Sequence, residues 1–225
     1  LGWKHVQVVA VDLPAGFTCP AAALCQTFAN RRTGRQTKGK KQEFSCFASD
    51  LEARYTNVRN AHWHNFDSIR PLLRDVKAMA DIIEASLFPP LPPKSRKLPV
   101  KVVRIHASGD FFSKSYYEAW VEVTRRRPNV LFFAYTKEYP LMKEYRPPNF
   151  ALTLSKGGDY DDIARAEGYF QEEERGDDGK HPSCTVVKDA KEAAKLGLPV
   201  ACATPTSPDD LEYIVANRSF AIILH

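Results

Sequence analysis

Apolar residues in this 225-residue chain follow two alternating rhythms. Short β-branched or aromatic runs read as strands: His5–Val11, Val100–Ala107, Val130–Tyr135, Phe150–Leu154, Thr185–Val187, Pro199–Ala203 and Ser219–Leu224. Between them apolar positions recur every three or four residues, the spacing that lines one helix face. Ser49-Asp50-Leu51-Glu52 is a capping box, which predicts a helix with Leu51, Tyr55 and Val58 inward. A second helix follows Asn65, with an apolar face from Ile69 through Leu72, Val76, Met79 and Ile83 to Leu87. Ser115 opens a helix carrying Tyr116, Trp120 and Val123, and a short helix is expected near Leu141–Tyr145. Asp159 opens another with Ile163 and Ala166, one stops at Gly197, and Ser207-Pro208-Asp209-Asp210 starts the last. Glu172–Lys180 reads as a charged loop.

About seven strands are thus mostly separated by helices, and helical crossovers require parallel pairing in right-handed units. The unbroken run Val130-Leu131-Phe132-Phe133 suits a strand buried on both faces. The expected fold is α/β: a partial or irregular (β/α) barrel of about seven mostly parallel strands, with a long cysteine-containing loop after the first. Phe88–Pro99 is too proline-rich for helix and is expected as a stiff linker within a single domain spanning 1–225.

Composition narrows the class. Hydrophobic and charged contents of 44% and 26% are ordinary for a globular protein. No apolar run approaches the ~20 residues that span a bilayer, and the start lacks a signal-peptide pattern, so a cytoplasmic protein without membrane contact is expected. Five cysteines is an odd count. It argues for free thiols, metal ligands or small buried hydrophobes rather than a disulfide framework.

Three of the five, Cys19, Cys25 and Cys46, share the connection between the first strand and the first helix. Ligands in a parallel α/β fold bind beyond the C-terminal ends of the strands. The first strand leads into Cys19 and Cys25, and the next ends at Arg104-Ile105-His106-Ala107-Ser108-Gly109-Asp110. The following two end at Tyr135-Thr136-Lys137 and Ser155-Lys156-Gly157-Gly158-Asp159. Thiolates suit an iron–sulfur cluster, of the 4Fe-4S or 3Fe-4S type, ahead of zinc, whose structural sites show closely paired cysteines. Packed, metal-free thiols remain a third reading. Cys202, near the end of its strand, is the candidate fourth ligand, whereas Cys184 is expected in the core. An iron left open would face a small-molecule ligand. His106, Asp110 and Lys137 are the candidate catalytic groups, and Ser108, Gly109 and Ser155 are candidates for binding a cofactor.

Arg31, Arg32, Arg35, Lys38, Lys40 and Lys41 form an acid-free run inside the cysteine loop, able to hold the phosphates of nucleic acid. No aromatic residue is interleaved in it for base stacking. The net charge of +5 permits such a partner without demanding one.

The segments Phe44-Ser45-Cys46-Phe47-Ala48, His62-Trp63-His64-Asn65-Phe66, Arg104 to Phe112, Phe133-Ala134-Tyr135-Thr136-Lys137 and Phe220 to His225 resemble a phage-borne family. That family is named after mycobacteriophage gene product eighty-eight. The resemblance covers most of the chain and implies a phage or prophage origin, hence the host cytoplasm. It also implies a three-cysteine pattern matching Cys19, Cys25 and Cys46, without Cys202. The layout is similar to that of the radical S-adenosylmethionine enzymes, which implies S-adenosylmethionine as a cofactor. The chain departs from their compact loop, because twenty residues separate Cys25 from Cys46. Two functions from different classes follow: a radical or redox iron–sulfur enzyme, or a non-catalytic phage factor whose metal orders the loop while its basic surface binds nucleic acid or a host protein. A metal-free hydrolase or lyase using His106 and Asp110 is a third.

Overall fold

Seven parallel strands curl into a half-barrel. The computed structural model describes residues 7–90, 100–170, 183–187, 189–201, 213 and 220–223. Its strands are β1 (Gln7–Val11), β4 (Val100–Ile105), β5 (Leu131–Thr136), β6 (Phe150–Ser155), β7 (Ser183–Val187), β8 (Val200–Ala201) and β9 (Phe220–Ile223). They lie in the order β1-β4-β5-β6-β7-β9-β8, and every pairing is parallel. The partial (β/α) barrel expected from the hydrophobic rhythm is the fold observed.

Alternation along the strands gives the sheet two faces. Val103, Ile105, Phe132, Ala134, Leu152 and Leu154 face the helices and join the main core. That core is completed by Met79, Ala80 and Ile83 of α3 (Val76–Leu87) and by Tyr116, Trp120 and Val123 of α4 (Lys114–Arg126). Val102, Phe133, Cys184, Ala201 and Phe220 pack on the opposite, concave face, so Cys184 is a core residue. At the end of α4, Arg126 bonds Asp81, Glu84 and Glu122, and Arg127 bonds Glu84.

Several boundaries differ from the reading of the pattern. The cysteine loop contains an antiparallel hairpin, β2 (Thr27–Ala29) paired with β3 (Gln36–Lys38). Its turn signals were Asn30 and Gly34: the Asn30 carboxamide accepts from the Arg32 and Thr33 amides, and Gly34 takes φ +71°. Helix α1 (Phe47–Arg54) starts one turn early, with Cys46 rather than Ser49 at its cap. It buries Ala48, Ser49 and Glu52, while Leu51 and Tyr55 of the supposed apolar stripe are 39% and 47% exposed. Helix α2 (Thr56–Ile69) follows at once. The expected continuation to Leu87 breaks at a 3₁₀ turn containing Pro71, and Asp75 recaps α3 by accepting from the Ala78 amide. Ser113, not Ser115, caps α4. The helix expected near Leu141 is a 3₁₀ turn over Tyr139–Lys143, and α5 (Asp161–Ala166) is capped at Tyr160. Helix α6 (Ala190–Lys195) precedes Gly197 as expected. Most of the proline-rich stretch, the loop at 172–180, Cys202 and the helix start at 207–210 lie outside the described residues. Among the described residues no helix is long and apolar enough to cross a membrane.

Candidate functional site

The cysteine loop is laid across the C-terminal ends of four strands and stitched to each. From β1 to β4, the Leu13 amide donates to the Ser108 carbonyl (2.9 Å) and the Asp110 amide to the Thr18 carbonyl (3.0 Å). At β6, the Ala23 and Leu24 amides both donate to the Gly157 carbonyl at 3.1 Å, and the Asp159 amide donates to the Ala21 carbonyl at 2.9 Å. Gly109 makes the first crossing possible. It has φ +90°, and a Cβ there would stand 2.6 Å from Thr18 Oγ1. The Ser108 hydroxyl donates to the Leu13 carbonyl at 2.8 Å. Ser108 and Gly109 thus seat the loop.

A buried polar knot fixes the other side. Glu52, fully buried on α1, accepts at Oε1 from the Ala15 amide (2.8 Å), and the same oxygen lies 2.8 Å from His62 Nδ1 and 3.3 Å from the Ser108 hydroxyl. Asp12 accepts from the Ala107 and Ser108 amides at 2.6 and 3.0 Å. Arg59 donates to the carbonyls of Glu52 and Arg31. These side chains form the inward face of α1 and α2. An apolar-stripe criterion passes over them, and a Glu-Arg-His set at helical spacing is the available signal.

This scaffold brings the three thiols together. Cys19, Cys25 and Cys46 are close enough that the charge of Cys25 and Cys46 raises the Cys19 pKa, and Cys25 raises that of Cys46. Burial is the larger cause in both. It pushes Cys19 well up, with Asp110 adding to the rise, and pushes Cys46 up to about 11. Opposing this, the Gly16 amide faces the Cys19 sulfur, and the Ser49 and Ala48 amides at the start of α1 face the Cys46 sulfur. Thr27 ties the flanking segments: its hydroxyl donates to the Cys25 carbonyl and accepts from the Cys46 amide, both at 3.1 Å. The sulfurs are neighbours rather than a ready single-ion sphere. Among the described residues, no three His, Cys, Asp or Glu side chains are arranged to hold one metal ion.

The candidate catalytic residues separate. Asp110 lies fully buried under Cys19, accepting from the Thr136 hydroxyl (2.7 Å), the Lys137 amide (2.8 Å) and the Phe111 amide (2.7 Å). Burial raises its pKa against these bonds. His106 turns the other way, into the aromatic core, with Nε2 2.9 Å from the Tyr116 hydroxyl. Burial lowers it to about 3, so it is neutral at physiological pH. The two do not share a hydrogen bond. Lys137 Nζ donates to Ser155 Oγ at 3.0 Å and to the Lys156 carbonyl. Glu138, which the sequence reading passed over, is half-buried beside Asp110 and Asp159. Burial, then those two carboxyls, pushes its pKa up to about 7, against the Ala21 amide that bonds it. Its position at the end of β5 was the signal. Arg104 is on the concave side of β4, with its guanidinium 5.4 Å over the Tyr135 ring and its buried Nε without a partner among the described residues.

A half-barrel α/β protein whose strand ends are capped by a thiol-bearing loop is therefore the class defined by fold and site. The family model described as "Gene product 88" matches residues 2–219, and the chain belongs to that family. Its relatives include the "Gene 88 protein" of Mycobacterium phage L5, 32% identical over 163 residues, and that of Mycobacterium phage D29, 28% identical over 162 residues. Each match covers 69% of this chain and 60% of the relative, so the chain spans well under two thirds of those proteins. No solved structure matches. The phage-borne family expected from the motifs is thus the one found, and the likeness to radical S-adenosylmethionine enzymes gains no support from these matches.

Proposed function

We propose that this phage-family protein carries an iron–sulfur cluster on Cys19, Cys25 and Cys46 and uses it in redox or radical chemistry on a small molecule held at the strand ends. The observation that carries the proposal is the gathering of three loop thiols, from residues up to 27 apart in sequence, over the polar rim of a parallel half-barrel. The donor set fits. Backbone amides already face the Cys19 and Cys46 sulfurs, and such hydrogen bonds to sulfur are a means of setting cluster potential. In a cluster each cysteine binds a different iron, so the sulfurs stand further apart than the ligands of a single ion. Bound iron would also stabilise the thiolate forms that burial and mutual proximity disfavour. Loading would displace protons, because burial holds Cys19 and Cys46 as thiols at neutral pH.

Around that centre Glu138 holds a proton that it can give up near pH 7, and Asp110 keeps Lys137 and the loop in place. Arg104 adds a positive charge on the concave face, without a carboxylate partner among the described residues, which suits an anionic substrate. Cys202 is a fourth-ligand candidate in this reading.

Anaerobic purification followed by iron and acid-labile sulfide analysis tests the proposal. Roughly stoichiometric iron and sulfide are expected, with loss in each of Cys19→Ala, Cys25→Ala and Cys46→Ala and retention in Cys184→Ala. Iron-free, colourless protein after reconstitution would refute the cluster, as would bound zinc alone. Formation of 5′-deoxyadenosine from S-adenosylmethionine by the reduced protein would assign the radical branch; a reducible cluster without it would assign electron transfer.

A further inference from the structure

The hairpin β2–β3 also concentrates charge. Residues 31–41 contain six cations and no acid. Two are neutralised: Arg31 pairs with Asp67 and Lys41 with Asp159, both at 2.6 Å. Arg32, Arg35, Lys38 and Lys40 are exposed and have no carboxylate partner among the described residues. The backbone under them is fixed. The Asn30 carboxamide closes the turn, the Asn30 amide donates to the Arg35 carbonyl at 2.8 Å, and the Gly39 amide donates to the Gln26 carbonyl at 2.8 Å. Four uncompensated cations are therefore held in set positions instead of waving on a mobile tail.

The aromatic rings missing from the linear run are supplied by the fold. Phe28 of β2 meets Phe17 edge to face at 5.1 Å, Phe17 meets Trp63 at 5.1 Å, and Arg31 lies 4.9 Å over Trp63. Phe17 is 47% exposed. Phe28, Gln26, Lys38, Lys40, Lys41 and Asp159 line a cavity of about 330 Å³, at the small end of ligand-binding cavities. Cations that track a phosphate backbone beside ring faces and a small cavity match what an unstacked nucleic-acid strand presents. A duplex hides its base faces, and an acidic polypeptide offers nothing for the rings. We propose that the β2–β3 hairpin, with Phe17 and Phe28, is a binding surface for single-stranded nucleic acid. This does not depend on the cluster.

Fluorescence anisotropy of the full chain with labelled oligo-dT and oligo-U, across a salt series, tests it. Salt-dependent binding is expected, at least about ten-fold weaker for a duplex of equal length. Replacing Arg32, Arg35, Lys38 and Lys40 together by Ala should weaken binding and reduce the log–log salt slope by about three, at ~0.7 per phosphate for single strands. Phe17→Ala should weaken binding about five-fold or more with the slope unchanged. Its exposure keeps the fold intact, which circular dichroism checks. Absence of salt-dependent binding, wild-type affinity in both variants, or equal binding of polyglutamate would overturn the proposal, the last assigning the surface to an acidic protein.

Discussion

His106 concentrates several constraints at one residue. It takes φ +65°, a left-handed conformation costing a side-chain-bearing residue about 1–2 kcal/mol. That conformation ends β4 and swings the imidazole from the concave side into the helix-packed core, between Phe111, Tyr116 and Trp120. There Nδ1 is buried without a partner among the described residues. A histidine kept neutral by burial must be left unprotonated for the fold to persist. Its folded pKa, about 3, lies below the ordinary 6.5 of an unfolded chain. Between those values the unfolded state binds the extra proton, so stability is full above pH 6.5 and falls as pH drops toward 3. The loss approaches about 1.4 kcal/mol per pH unit, or roughly 2 kcal/mol at pH 5. Urea melts of wild type and His106→Gln from pH 7.5 to 4.5 isolate this. The variant is expected to lose about one proton of pH dependence, and parallel curves would place the linkage elsewhere. Asp110, whose raised pKa acts in the opposite sense, is common to both proteins and cancels.

At the scale of elements, α1 inverts the usual rule. A pattern reader assigns Leu51 and Tyr55 to the core and Glu52 to solvent, and the helix does the reverse. The reason is that α1 turns Glu52 toward the cysteine loop, where the Ala15 amide needs an acceptor, while Ile69 and Phe66 at the end of α2 supply the contact with the apolar core. Glu52→Ala would leave the Ala15 amide and His62 Nδ1 without their acceptor and should cost about 1–3 kcal/mol for each. Leu51→Ser should stay within about 0.5 kcal/mol. Thermal melts of the two give the comparison, and a larger loss in Leu51→Ser would show that the stripe is covered in solution. The hairpin offers a companion test. Thr27→Val keeps shape but removes both bonds joining the Cys25 and Cys46 segments, so about 1–3 kcal/mol and a measurable share of bound iron should be lost together. The α/β rhythm, the parallel sheet and the rim were legible because β4, β5 and β6 are β-branched or aromatic runs whose ends carry polar residues. The helix breaks at Tyr55 and Pro71, the polar knot of Glu52, Arg59 and His62, and the aromatic flank of the basic run were not. Each depends on which backbone groups a neighbouring segment leaves unsatisfied, or on residues such as Phe17 brought near from elsewhere in the chain.

For the whole molecule, the division between core and cap predicts how the protein comes apart. The main core joins α3 and α4 to β4, β5 and β6, and none of the three loop cysteines belongs to it. Beyond Leu13, which enters the main core, the loop is held to the strand ends by hydrogen bonds, each worth on the order of 1 kcal/mol net, by the Lys41–Asp159 ion pair and by the Glu52 knot. Its local opening should therefore cost much less than global unfolding. A triple Cys19→Ser, Cys25→Ser, Cys46→Ser variant should keep the wild-type far-ultraviolet spectrum and urea m-value, because the surface exposed on unfolding is nearly the same. Hydrogen exchange should change only in the cap, with the amides at positions 19, 23, 24 and 46 exchanging faster while those of Val103, Phe132 and Leu152 keep their protection. Reconstitution of wild type with iron and sulfide should slow the cap amides alone, because a ligand that binds only the closed loop stabilises that state. Loss of core protection in the triple variant would instead mean that the thiols nucleate the fold. Slowing in the cap with an unchanged core would mark the half-barrel as a self-sufficient platform on which the thiol loop opens and closes.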